Sequence, residues 1–133
     1  MEFAKYMVDY LKGELGIPSL KIIPVYDVKT VDVKRGNYLF VYTTDRIFEY
    51  FVGNKKVLEN IGIVLDFRGD NFEIYKAVKG SLKMVLQKLV CGDCNNDIFK
   101  VEIGEEKELS NKARGLYRFV LNVYIYRITD YTE

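Results

Sequence analysis

The segment that most constrains the fold of this 133-residue chain is an alternating run followed by a long amphipathic stretch. In residues 61–67, IGIVLDF, every second side chain is large and apolar, and this two-residue period predicts a strand with one buried face. In residues 71–90, apolar side chains recur three and four positions apart, with Lys79 at the one vacant place in the series, and this predicts an amphipathic helix. The members of this apolar stripe are Phe72, Tyr75, Leu82, Leu86 and Leu89. We therefore expect a strand that leads directly into a helix, with both elements packed in one core.

The short link between these two elements predicts a tight turn and a helix cap. Arg68 and Gly69 supply the turn, and Asp70, with Glu73 three positions later, fits a capping box in which Asp takes the role of Ser or Thr. The tripeptide Arg68-Gly69-Asp70 also spells an integrin-recognition motif, but a turn that enters a capped helix accounts for it without a recognition role. Gly80 lies in the middle of the helix, where it costs about 1 kcal/mol relative to Ala, and we expect the helix to continue through it.

The rest of the chain predicts a second helix and a series of strands. Residues 2–15 carry an apolar stripe at helical spacing, which predicts a helix. Gly16 directly after this segment and Pro18 beyond it are helix stop signals. Pro24 cannot donate to a β-ladder, so we expect the extended segment around it to be an edge strand or an irregular one. Further strands are predicted at residues 38–42, 47–52, 57–67, 98–103 and 116–128, with a break at 43–46 and a polar loop at 104–115. Consecutive strands with short turns favour an antiparallel meander.

These elements predict a single α+β domain over residues 1–133, with a mostly antiparallel sheet, an N-terminal helix and one long central amphipathic helix packed on it. An apolar fraction of 49% is enough to build its core. No stretch approaches the roughly 18 apolar residues of a membrane span, so we expect a soluble protein with no membrane partner. The balance of 20 basic and 19 acidic residues argues against a dedicated nucleic-acid binder.

Two cysteines are the first candidates for chemistry. Cys91 and Cys94 have the CxxC spacing that supplies half of a tetrahedral zinc site, but the chain has no other cysteine and no histidine. The pair is also compatible with a redox centre, although it follows a helix, which is the less favourable end for lowering a thiol pKa. The third interpretation, which we favour, is two cysteines in a polar loop. Because histidine is absent, the usual general base is missing and nucleophilic catalysis finds little support.

Tyrosines near the C-terminus are the second candidates. Tyr124, Tyr126 and Tyr131 lie close to Arg127, and exposed Tyr and Arg are enriched at protein interfaces. The same side chains can stack on single-stranded nucleic acid. They can also be ordinary strand residues, because Tyr favours strands. The sequence leaves all three interpretations open.

Two segments of the chain resemble a known family. They are VLDFRGDNFEIYKAVKGSLKMVLQKL and the later GLYRFVLNVYIYRI. Both resemble the tail-terminator and minor-capsid proteins of tailed phages and related archaeal proviruses, in which a strand ending in Arg-Gly enters a long helix and the last strand opens with Gly-x-Tyr-Arg. The matching residues are Ile61, Ile63, Leu65, Arg68, Gly69, Gly115, Tyr117, Arg118, Leu121 and Val123. Because the first helix, residues 3–15, also corresponds, the resemblance spans nearly the whole chain.

The resemblance implies a non-enzymatic virion protein without a cofactor, assembled in the host cytoplasm. Such a protein forms a homo-oligomeric ring that caps the tail tube at the head–tail junction, so its partners are copies of itself and tail-tube or head-completion proteins, with no direct recognition of nucleic acid. A ring requires heterologous interfaces, for which the polar loops and the tyrosines are the candidates. These residues are Arg35, Lys55, Lys56, Glu105, Glu106, Lys112, Arg114, Tyr124 and Tyr126.

Other functions remain open beside the ring. The main alternative is a small cytosolic protein-binding module of unknown partner, which predicts a stable monomer or dimer. A nucleic-acid binder, for which Lys76, Lys79 and Lys83 on the helix are the hint, predicts retention on DNA or RNA that weakens with salt. A small enzyme that uses carboxylates or the cysteine pair is a further possibility.

Overall fold

The computed structural model describes residues 3–25, 35–51, 56–90 and 97–130, with side chains throughout these ranges except at 45–51 and 129–130. This part of the chain forms two α-helices, which are α1, Phe3–Leu15, and α2, Phe72–Gln87. It also forms five strands: β1, Leu20–Val25; β2, Asn37–Phe51; β3, Lys56–Gly69; β4, Ile98–Glu108; and β5, Tyr117–Asp130. A short 3-10 helix, Lys112–Arg114, lies between β4 and β5.

The strands form one sheet in the order β1-β2-β3-β5-β4. All neighbours pair antiparallel except β1 and β2, which are parallel. The predicted α+β fold with a mostly antiparallel sheet is therefore confirmed, and the strand that contains Pro24 is an edge strand as predicted.

The predicted meander is wrong in two respects. β1 runs parallel to β2, which the long connection between Val25 and Asn37 permits and a tight hairpin would not. β5 lies between β3 and β4, so that the last strand is internal and β4 is at the edge. The physical reason is that β5 carries a continuous apolar face that must be buried, whereas the charged side chains of β4 suit an edge.

Both helices pack on one face of the sheet, and the core lies between them and the strands. α1 contacts β1 and β2, while α2 contacts β3, β4 and β5. The predicted alternation in residues 61–67 is confirmed, because its apolar members are at most 1% exposed; they are Ile61, Ile63, Leu65 and Phe67. On the neighbouring strand β5, the side chains on the same face of the sheet are equally buried, and they are Phe119, Leu121, Val123 and Ile125. At about 1.5–3 kcal/mol for each fully buried large side chain, the β3–β5 pair is the main hydrophobic contribution of the sheet.

Two strands are longer than predicted. β2 is continuous, and the predicted break at residues 43–46 is a β-bulge where the register shifts between Thr43 and Arg46. β4 extends to Glu108, so the first part of the predicted polar loop at 104–115 is strand. Both errors have one cause. Polar side chains on the solvent side of a sheet resemble a loop in sequence, but the backbone ladder tolerates them.

α2 is continuous through Gly80, as predicted, but its cap is Asn71 and not Asp70. The Asn71 side chain accepts a hydrogen bond from the backbone N–H of Ile74 at 3.1 Å, because its extended backbone, with φ −108°, places the oxygen over the first turn. Asp70 instead accepts a long 3.5 Å bond from the side-chain amide of Asn37. The helix ends at Gln87, three residues earlier than predicted.

Candidate functional site

A cleft of about 500 Å³ lies at the end of the sheet where β2 begins, β3 ends and β5 begins. Four arginines from separate places in the chain converge on it: the turn before β2, the end of β3, the 3-10 helix and the start of β5. They are Arg35, Arg68, Arg114 and Arg118. We name this feature the arginine cleft, and the density of guanidinium groups makes it the candidate site.

One buried carboxylate fixes two of these arginines. Arg68 donates from Nε and Nη2 to Asp66 Oδ2, at 3.2 and 3.0 Å. Arg118, directly opposite Arg68 on β5, donates from Nε to Oδ1 at 3.2 Å and from Nη2 to Oδ2 at 3.1 Å. Because Asp66 is only 3% exposed, water competes little for its carboxylate, and charge-assisted bonds of this kind hold both guanidinium planes in fixed orientations.

The anchoring leaves positive charge and donor groups available. Nη1 of Arg68 and Nη1 of Arg118 make no hydrogen bond to the described part of the chain. Arg35 and Arg114 are exposed, and neither side chain has a hydrogen bond or an ion pair with a described residue. Four guanidinium groups meet two carboxylates, those of Asp66 and Asp70, so the described cleft carries two positive charges in excess.

The floor of the cleft depends on a close contact between Asn37 and Gly69. The buried Asn37 side chain accepts a 3.2 Å hydrogen bond from the backbone N–H of Asn71, which links the start of β2 to the start of α2. A β-carbon at Gly69 would overlap the Asn37 side-chain oxygen and lie 2.9 Å from Cζ of Phe67. Only glycine therefore fits at this position without a shift of its neighbours.

The opposite wall is the turn between β4 and β5. Asn111 and Leu116 exchange backbone hydrogen bonds of 2.7 and 3.0 Å across it. Gly115 closes the 3-10 helix in the left-handed conformation, with φ 66°, which brings the chain back after Arg114. Leu109 and Leu116 are 49% and 52% exposed here. This wall therefore places the Arg114 guanidinium group and exposed apolar side chains in the lining of the same cleft.

A polar network ties this turn to α2. Glu108 Oε2 accepts hydrogen bonds from the Tyr75 hydroxyl at 2.7 Å and from Lys79 Nζ at 2.5 Å. Ser110 donates to the other Glu108 oxygen and accepts a 2.9 Å bond from the backbone N–H of Arg118. Burial alone would raise the pKa of Glu108, but the bonds from Lys79, Ser110 and Tyr75 outweigh it and lower the pKa to about 2. The hydrogen bond to Glu108 in turn raises the pKa of Lys79, so both groups are charged at neutral pH.

The structure brings together some of the sequence-predicted interface residues. Arg35 and Arg114 line the arginine cleft, and Lys112 is exposed in the adjoining 3-10 helix. Lys56 lies apart from them at the other end of the sheet, in register with Asp130.

The two predicted glutamates lie on the β4 edge and not in a loop. Glu106 pairs with Lys83 of α2 at 3.0 Å, on the helix side of the sheet. Glu105 is exposed, with Lys107 4.0 Å away. At this length and exposure the second pair contributes little to stability.

Two of the predicted tyrosines, Tyr124 and Tyr126, lie on the outer face, which is the side of the sheet away from both helices. Tyr124 is 40% exposed. Tyr126 is half-buried, with Lys100 Nζ 5.1 Å from its ring centroid and the ring of Phe99 6.3 Å away. Phe99 itself is 47% exposed, so this part of the outer face presents aromatic surface to solvent.

Sequence reasoning gave no functional role to Asp66, Arg68 or Arg118. Asp66 and Arg68 are two positions apart on a predicted strand, so their placement on one face was available from the sequence. Arg118 follows Asp66 by 52 positions, and its approach depends on the β3–β5 register, which nothing in the local sequence specifies. The three residues Arg68, Gly69 and Asp70, predicted as a turn and cap, all line the cleft.

Four of the predicted candidates lie outside the described residues, and these are Lys55, Cys91, Cys94 and Tyr131. Within the described ranges, no group of three or more His, Cys, Asp or Glu side chains is arranged to hold a metal ion. Neither helix in the same ranges has the length and apolar character needed to cross a bilayer. No protein-family model matches the chain, and no curated protein matches it either.

Proposed function

We propose that the chain is a non-enzymatic structural subunit that assembles with copies of itself into a ring, as the resemblance to tail terminators implies. The first resembling segment covers the end of β3 and all of α2, and the second lies on β5, the neighbour of β3 in the sheet. Arg68 and Arg118, one from each segment, share the carboxylate of Asp66. In this proposal the two segments build the inner part of the sheet and the helix on it, and assembly uses surfaces outside them. Tail-tube or head-completion proteins are the further partners in this proposal, and the virion is the place of action.

The observation that carries the proposal is the outer face of the sheet with its two unlike edges. Both helices pack on the other side, so no described helix covers this face. At one edge is β1, a strand of six residues that contains Pro24, and at the other is β4, a strand of 11 residues that contains two Lys and four Glu. A ring requires a heterologous contact, in which two different surfaces of one subunit meet those of its neighbours.

Each edge of the outer face presents an exposed apolar side chain. Ile23 of β1 is 37% exposed, and Phe99 and Tyr124 near the other edge are 47% and 40% exposed. Proline on one edge strand and charge on the other disfavour direct addition of a strand. The contact we propose is therefore made by side chains, with the β4 side of one subunit covering the β1 side of the next.

Electron microscopy of the purified protein in negative stain tests the proposal. We expect closed rings of uniform diameter for the wild type. Tyr124→Lys should abolish them, because it places a charge in the contact, whereas Met84→Lys should leave them intact. Met84 is a matched control, since it is a 63% exposed apolar residue on α2, on the side of the molecule away from the outer face.

One result would contradict the ring, and another would contradict the contact proposed for it. Discrete single particles of subunit size at all concentrations would favour the protein-binding module instead. Rings that persist in Tyr124→Lys but vanish in Met84→Lys would place the contact on the helices. Circular dichroism of each variant confirms that the fold is unchanged.

A further inference from the structure

We propose that the arginine cleft binds a phosphate group carried by a small organic molecule with an apolar or aromatic part. The proposal goes beyond ring assembly and does not depend on it. Arg118 in the cleft and Tyr124 in the proposed contact are six residues apart on β5, which is about 20 Å along a strand. A ligand and a neighbouring subunit can therefore occupy the two places independently.

Two of the donor side chains in the cleft are already oriented before a ligand binds. Asp66 holds the Nε and Nη2 edges of Arg68 and Arg118 and leaves Nη1 of each without a bond to the described chain. An arginine that is fixed before binding loses little side-chain entropy when a ligand arrives. Arg35 and Arg114 complete the set from the two sides of the cleft, without a described carboxylate to compete for them.

The charge of the cleft favours a phosphate monoester over a carboxylate. Among the described residues, four arginines against Asp66 and Asp70 leave an excess of two positive charges. A phosphate monoester near neutral pH carries between one and a half and two negative charges, about the number required, and three terminal oxygens that accept from several directions. A single carboxylate brings one charge and two coplanar oxygens, and the chain already supplies one such group in Asp66.

Apolar surface lies beside the arginines of the cleft. Leu109 and Leu116 are about half exposed, and Tyr117 lies next to them in the lining of the cleft. A cleft of about 500 Å³ is within the range of small-molecule sites, which pair apolar walls with a few oriented polar groups. The leucines would contact the organic part of the ligand while the guanidinium groups hold its phosphate.

Titration of the ¹⁵N-labelled full chain with phenyl phosphate, followed by NMR, tests the proposal. We expect saturable shifts at the backbone amides of Gly69, Gly115 and Arg118. Inorganic phosphate should produce the same shifts at higher concentration, because it lacks the apolar part. The double variant Arg35→Gln/Arg114→Gln should bind phenyl phosphate at least about tenfold more weakly, since it removes two charge-assisted partners. These two side chains are exposed and make no described side-chain contacts, so the variant should fold.

A matched control removes the same charge elsewhere. Lys5→Gln/Lys12→Gln takes two positive charges from exposed positions on α1 and should leave the affinity within about twofold. Equal loss in both double variants would show a nonspecific charge effect and overturn the site. Unchanged affinity in the arginine variant, or shifts that are absent from the cleft, would overturn it as well.

Two further probes separate this ligand from macromolecular partners. A thymidine oligonucleotide that binds more tightly than phenyl phosphate, with an affinity that falls steeply with salt, would assign the cleft to nucleic acid and contradict the proposal. A hexaglutamate peptide that displaces phenyl phosphate at lower concentration would assign it to an acidic protein segment. We expect neither probe to compete at equal phosphate or carboxylate concentration.

Discussion

At the scale of single residues, Asp66 has the largest influence on the arginine cleft. It is the cross-strand partner of Phe40 on β2. Its carboxylate accepts hydrogen bonds from Arg68 on its own strand and from Arg118 on β5. The Arg68 guanidinium also lies 5.6 Å from the ring centroid of Phe40, which adds a cation–π contact to the ion pair. The buried carboxylate thus converts two flexible side chains into one fixed group.

Replacing Asp66 with Asn should destabilise the protein by about 2–3 kcal/mol. The change removes a buried negative charge and leaves two guanidinium groups close together without their counter-ion. Urea denaturation followed by circular dichroism measures the effect. Asp70→Asn is the control, because Asp70 is exposed and accepts only one long bond, and we expect a loss below about 0.5 kcal/mol. Equal losses in the two variants would refute the anchoring role.

The sequence indicates that Asp66 and Arg68 share one face of a strand, but it does not predict that Arg118 joins them. The two-residue spacing of Asp66 and Arg68 places them on one face of a strand once the strand is recognised. Arg118 and Arg114 come from a distant segment, and their arrival depends on the β3–β5 register and on the left-handed turn at Gly115. Tertiary pairing of this kind leaves no periodic signal in the local sequence, which is why the cleft was not anticipated.

At the scale of elements, α2 and its link to β3 agree most closely with expectation. Periodicity located the strand and the helix, because both bury one face against the same core. The observed cap is Asn71, one residue after the predicted cap Asp70. Both side chains are good caps, and only the backbone conformation decides between them. Strand direction was not predictable for β1, since the two-residue period is the same in parallel and antiparallel strands.

Two glycine-to-alanine changes in this segment should have opposite effects on stability. Gly80→Ala should stabilise the protein by about 0.5–1 kcal/mol, because Gly80 is helical and an added β-carbon meets only open space. Gly69→Ala should destabilise it by about 1–3 kcal/mol, because the new methyl group displaces the Asn37 side chain from its bond to Asn71. Thermal unfolding of both variants tests the pair. The same sign for both changes would contradict the described packing.

The link between α2 and the end of β4 should be sensitive to acid. The pKa of Glu108 is lowered from 4.5 to about 2, so its contribution to stability is complete above pH 4.5 and is lost as the pH falls toward 2. The pKa of Lys79 is raised from 10.5, so its contribution is complete below that pH and is lost above it. Because the two side chains are 37% and 36% exposed, screening by solvent limits the pair to at most about 1 kcal/mol.

Glu108→Gln should therefore lower stability at pH 7 and reduce the acid dependence. We expect the difference between wild type and variant to shrink between pH 4.5 and pH 2, because the wild-type carboxylate becomes protonated there. Urea denaturation at several pH values measures this difference. A difference that stays constant down to pH 2 would show that the charge of Glu108 does not contribute.

At the scale of the whole molecule, the two faces of the sheet differ, because one is covered by the helices and the other is the face proposed for contact. The helix side holds the core, while the outer side carries the arginine anchor at one end and exposed aromatic residues beside β4. The sequence predicted which side of β3 is buried, because the alternation in residues 61–67 decides that directly. It did not predict that β4 lies at the edge with Phe99 beside Tyr126, which follows from the order of strands.

The molar mass in solution, measured by multi-angle light scattering over a wide range of protein concentration, tests the central claim most directly. Ring assembly predicts one mass, a fixed multiple of the subunit mass, that persists on dilution for the wild type and for Met84→Lys. It predicts the mass of the subunit alone for Tyr124→Lys. A wild-type mass equal to that of one subunit at every concentration would contradict the proposal that this protein forms a ring.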